Sequence, residues 1–100
     1  MGARSDLHRV DQPFPVVYDA LLRCLPTAGF RITGTDPSRG RISLETRNTR
    51  LTVAVGAVDA ITTDWVATSE LKLGLFRDRH EEKFAAIRDA LDRYLAAYYA

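Results

Sequence analysis

Few side chains in this 100-residue chain have types and spacings that could do chemistry. Cys24 is the single cysteine, so no intramolecular disulfide can form. A nucleophilic cysteine needs thiolate character and a nearby base. Neither is supplied locally, and Cys24 falls on an apolar helical stripe, which reads as a buried structural thiol. His8 and His80 lie far apart, and His80-Glu81-Glu82 lacks the second histidine of a zinc-protease helix. No metal site is expected from them. Glu45 and Glu70 could do acid–base work if one were desolvated. Each is expected to face an arginine, which favours the ionised form and a solvated ion-pair surface. No glycine-rich phosphate loop and no Ser/His/Asp arrangement occurs. No catalytic or cofactor-binding residue is therefore assigned, no cofactor is expected, and the protein is expected not to be an enzyme.

Arg31, Arg41, Arg47 and Arg50 could grip phosphates. A sheet that binds RNA also needs exposed aromatics for stacking, and none is expected on the same face. Nucleic acid is thus not the expected partner. Net charge is +1, too small to steer the whole molecule to a polyanion. Lys72 and Lys83 stand against twelve arginines, which suggests GC-rich codon usage in a bacterial genome more than a phosphate surface. The N-terminus has no apolar targeting core and no stretch approaches a membrane-spanning length, so a cytoplasmic protein is expected. Length and an ordinary composition predict one domain over residues 1–100, with 1–5 loose.

These residues must be positioned by a small set of elements. A short strand is expected over 6–11. Val17, Leu21, Cys24, Leu25 and Ala28 recur at helical spacing, predicting a helix over 14–28 with Pro15 in its first turn. Pro26 should kink the last turn or end the helix near Leu25, and Gly29 stops it. Four strands follow by alternation. Asp36-Pro37-Ser38-Arg39-Gly40 forms one turn and Asn48-Thr49 a two-residue hairpin loop. Asp78 and Glu81 suit a capping box. The helix it opens carries Phe84, Ile87, Leu91, Tyr94, Leu95 and Tyr98 as a core stripe. Tyr99 lies off that stripe and could mark a contact.

Parity then predicts a register, because a one-residue slip would turn every side chain over. Ile32 faces Leu44, Arg31 faces Glu45, Thr46 faces Leu51, Arg47 faces Arg50, Val55 faces Trp65 and Arg50 faces Glu70. Trp65 points inward. Both helical stripes need one apolar sheet face. The expected class is therefore α+β: a four- to five-stranded antiparallel sheet with two helices on one side (β-α-β4-α). The open side would carry a pale row of Thr33, Ser43, Ala54 and Val66.

This order of elements over residues 6–98 resembles the TATA-binding-protein-like fold, which includes the helix-grip ligand-binding domains. The segment Leu73-Gly74-Leu75-Phe76-Arg77-Asp78 is also similar to small uncharacterised bacterial domains. DNA-bending members insert phenylalanines from the open sheet face. Phe14, Phe30, Phe76 and Phe84 lie elsewhere in this sequence, so the resemblance implies no DNA contact here.

Three functions remain, the last of them nucleic-acid binding through the Arg-bearing sheet face. The first is a non-enzymatic interaction module that binds a protein partner, or itself as a homodimer, through Thr33, Ser43, Ala54 and Val66 or an edge strand. The alternative is a small apolar-ligand carrier with a pocket between helices and sheet near Cys24, Trp65 and Tyr94.

Overall fold

The computed structural model describes residues 4–47, 49–71 and 80–99. In chain order they form β1 (Arg4–Val10), α1 (Phe14–Thr27), β2 (Arg31–Asp36), a short 3-10 turn (Pro37–Arg39), β3 (Arg41–Glu45), β4 (Thr49–Ala57), β5 (Thr63–Leu71) and α2 (His80–Tyr99). The strands make one antiparallel sheet in the order β1-β5-β4-β3-β2. The N-terminal segment supplies the fifth strand, and β1 begins within the stretch expected to be loose.

The core follows from two periodicities. Ile42, Leu44, Leu51, Val53, Val55, Trp65 and Ala67 alternate along β3, β4 and β5 and are all buried. They meet Val17, Leu21 and Leu25 of α1 and Ile87 and Leu91 of α2 in one cluster. Trp65 is inward and 1% exposed. The Tyr18 hydroxyl ties α1 to β3 by donating to the Arg41 carbonyl at 2.8 Å.

Pro26 does not end α1 at Leu25; the helix continues to Thr27. The exit is fixed by the chain beyond it. Gly29 has φ 95°, its amide bonds the Pro26 carbonyl, and the Phe30 amide bonds the Leu25 carbonyl. This pair of bonds closes the last turn, with Phe30 and Leu25 both buried beside it. Gly40 is needed twice over. Its φ is 67°, and a Cβ there would stand 2.1 Å from the Val55 carbonyl oxygen.

Two registers differ from expectation. Between β3 and β4, Leu44 faces Leu51 and Glu45 faces Arg50. Thr49 belongs to β4 and not to the expected Asn48-Thr49 loop, and the hairpin closes one residue earlier, with the Thr46 amide donating to the Thr49 carbonyl at 2.9 Å. The shift is two residues, which preserves side-chain parity and so leaves no trace in the hydrophobic pattern. Between β2 and β3 a bulge falls between Ile32 and Gly34, leaving Thr33 as the extra residue. Arg31–Glu45, Ile32–Leu44, Arg50–Glu70 and Val55–Trp65 pair as expected. Asp78, and with it the proposed capping box, lies outside the described residues, as does the segment 73–78.

Candidate ligand-binding site

The seam between α1 and α2 opens near their C-terminal ends into a groove of about 290 Å3. Cys24 and Thr27 line it from α1, Ala28 from just past that helix, and Ala90, Arg93, Tyr94, Ala97 and Tyr98 from α2. Small alanines leave room between the helices, Thr27 and Arg93 add polar groups, and the tyrosines supply flat apolar walls. The Tyr94 and Tyr98 rings sit 4.6 Å apart. Tyr98 is 70% exposed, so the core stripe ends at Leu95 and does not include Tyr98. The reason is geometric: beyond Leu95 the α2 side chains face this groove and solvent. The Cys24 Sγ donates to the Leu21 carbonyl at 3.8 Å. Burial pushes its pKa from 9.0 up to about 11. At neutral pH the thiol is therefore protonated and contributes a small apolar surface.

Cys24 and Tyr94 both line this groove, and Trp65 does not. Trp65 lies on β5 beside β1, where its ring contacts the His8 ring at a centroid distance of 4.7 Å. The expected three-residue pocket is divided because Trp65 belongs to the sheet layer next to an edge strand, while Cys24 and Tyr94 belong to the helix seam.

The β1 edge carries groups that alternation alone did not single out. His8 pairs with Trp65 and Asp6 with Ala67, so both point to the helix side. The His8 Nε2 lies 2.5 Å from the Asp6 carboxylate. A second groove, about 350 Å3, runs between this edge and α2 and is lined by Asp6, Phe84, Ala85 and Arg88. The buried Trp65 Nε1 has no hydrogen-bond partner. The clue in the sequence was Asp6 and His8 two apart in a strand, which places them side by side only once the strand's inner face is known.

On the open side the expected row is rearranged. Ala54 faces Val66, and Val66 faces Leu7. Ser43 lies one row away, opposite Thr52 and Gly34, and Thr33 sits at the bulge. Thr33, Ser43, Ala54 and Val66 therefore do not form one row, because the two-residue shift and the bulge both fall between them. A shallow hollow of about 230 Å3 is lined by Leu7, Ala54, Gly56, Asp64 and Val66, among others. Beside it, Arg9 clamps Asp64 with bonds of 2.7 and 3.1 Å. These bonds hold the Asp64 carboxyl below the usual carboxylate range. Arg31 pairs with Glu45, which also faces Arg50 across β3 and β4. This arrangement is a charge-balanced surface and not a carboxylate pair. Among the described residues no group of three His, Cys, Asp or Glu side chains could hold a metal ion. No helix among them is long and apolar enough to cross a membrane.

The sequence matches no protein-family model and no curated protein. Solved structures do share the fold. The Zhui aromatase/cyclase from Streptomyces sp. R1128 superposes with a TM-score of 0.51 at 17% identity, over 95% of this chain and 86% of that one. Ara h 8.0201 superposes with a TM-score of 0.44 at 9% identity, over 96% of this chain and 99% of that one. The aromatase/cyclase likeness is one of fold and falls on the helix-grip side of the resemblance drawn from element order.

Proposed function

We propose that this domain binds a small, flat, apolar molecule of one or two rings in the groove between α1 and α2. The observation that supports this reading is the groove itself, with paired tyrosines, a neutral thiol and three alanines on its wall and Thr27 and Arg93 as its polar groups. Its volume of about 290 Å3 sits near the lower end of small-molecule sites. The protein that shares its fold at a TM-score of 0.51 is an aromatase/cyclase, which is in keeping with an aromatic ligand here. The reading displaces the interaction module as the first choice.

β-Naphthol is a suitable probe. Titration followed by methyl NMR should shift the Ala90 and Ala97 signals with micromolar affinity. Ala97→Trp, which fills the groove, should weaken that affinity by tenfold or more. Unshifted alanine methyls, or full affinity in the filled variant, would sink the proposal.

A second reading rests on the open sheet side, where Leu7 is 66% exposed above Ala54 and Val66. That hollow suits a protein partner or a second copy. Light scattering at high concentration tests the homodimer version, and a strict monomer removes it.

A further inference from the structure

Two hydroxyls beside the β3–β4 hairpin break the usual rule for buried polar groups. The Thr46 and Thr49 Oγ1 atoms are buried and have no hydrogen-bond partner. Buried hydroxyls nearly always find one, and an isosteric valine would avoid the cost of going without. Thr46 also lines a groove of about 340 Å3, with Gly29, Arg31, Glu45 and Arg47. The groove opens where two strands end together. Arg31 begins β2 just after the α1 exit, and it pairs with Glu45, the last residue of β3. The Arg31 and Glu45 side chains are bonded to each other. Among the described residues none engages the Arg47 guanidinium, and Arg47 is exposed. A free surface arginine is ordinary by itself. What sets this one apart is its place in a cavity beside a threonine whose hydroxyl lacks an acceptor. Two arginines against one glutamate also leave the described lining with a positive charge.

We infer that this groove, through Arg47, Thr46 and Arg31, binds the phosphate group of a small phosphate monoester. The Arg47 fork takes two phosphate oxygens bidentately. A turn of the Thr46 χ1 to another staggered rotamer points its hydroxyl into the groove, where it donates to the third oxygen. Arg31 adds charge from the β2 side. It also neutralises Glu45, so the carboxylate does not drive the ligand away from Arg47. A phosphate monoester suits the groove better than a carboxylate, because its three terminal oxygens match donors that come from three side chains. The volume falls near the lower end of small-molecule sites, which leaves room for the organic part of the ligand. None of the described lining residues belongs to the α1–α2 groove, so the two sites are tested separately.

Ribose 5-phosphate, titrated at constant ionic strength and followed by amide NMR, is the probe. The Gly29, Thr46 and Arg47 signals should move together and saturate in the millimolar range, and ribose should move none of them. Arg47→Gln should weaken binding about tenfold. Thr46→Val should weaken it severalfold and also raise the thermal midpoint, because it removes an unpaired buried hydroxyl; a hydroxyl with a purely structural role would lower that midpoint. The absence of a saturable shift in the unaltered protein overturns the inference without recourse to any variant. So does unchanged affinity in a folded Arg47→Gln protein, as judged by circular dichroism. Inorganic phosphate binding as tightly as ribose 5-phosphate would leave the organic part without a role and overturn the monoester assignment. Tighter binding of a short oligouridylate, with shifts spreading to Arg41 and Arg50, would make this a nucleic-acid face instead.

Discussion

β4 and β1 flank the same strand, β5, and they treat the pleat in opposite ways. Along β4, Leu51, Val53 and Val55 point to the helices and are buried, while Thr52 and Ala54 face the open side. Along β1, Asp6 and His8 take the inner positions and Leu7 the outer one. Their common neighbour supplies the same inward residues to both, since Trp65 pairs with Val55 on one side and His8 on the other. The difference is position in the sheet. A central strand is covered on both flanks, and polar inward groups there would be desolvated at a cost of several kcal/mol. At the edge, water reaches the inner face from the side, so Asp6 and His8 keep partial hydration and their mutual bond. An edge is thus a place on the inner face where ionisable groups are cheap, and Asp6 and His8 lie at one.

That comparison can be broken most sharply on β4. Leu51→Ala removes a fully buried side chain and should cost about 3 kcal/mol in chemical denaturation; a cost below about 1 kcal/mol would mean the central strands are not the stable part. The next effect has the opposite sign. Replacing Asp6 by Thr together with His8 by Val restores the strand pattern and should stabilise the protein by about 1 kcal/mol in the same denaturation experiment. A loss of stability in that double variant would show the dyad to be structural. The smallest effect belongs to Leu7→Thr on the outer face, expected within about 0.5 kcal/mol of the parent by thermal unfolding. A larger loss would mean that the Leu7 hollow is covered, as a self-associating surface requires.

Much of the fold could be read from the residues. The stripe Val17, Leu21, Cys24 and Leu25 predicts α1. Asp36 to Gly40 predicts its turn, and alternation places Trp65 inside opposite Val55. What escaped did so for identifiable reasons. The β3–β4 shift spans two residues, so Leu44 or Thr46 could face Leu51 with the same faces buried. The bulge at Thr33 adds one residue that neither propensity nor pattern marks, because Thr33 and Gly34 are both small and exposed. Tyr98 fits the helical period of the core, but period says only which side of the helix a residue occupies. Whether anything lies opposite depends on how far α2 runs past the sheet and α1.

The candidate sites divide in the same way. Sequence alone determined that Cys24 has no local activator, that no metal or phosphate motif is present, and that Cys24 and Tyr94 both lie on inward helical faces. Only the tertiary structure decided that those two share a groove while Trp65 does not, and that Asp6 and His8 face inward beside Trp65. The physical reason is that side-chain direction is a local property of helix and strand, whereas the identity of the neighbour is set by strand order. β1 pairs with β5, 55 residues away at Arg9 and Asp64, and no local pattern in either segment encodes that meeting.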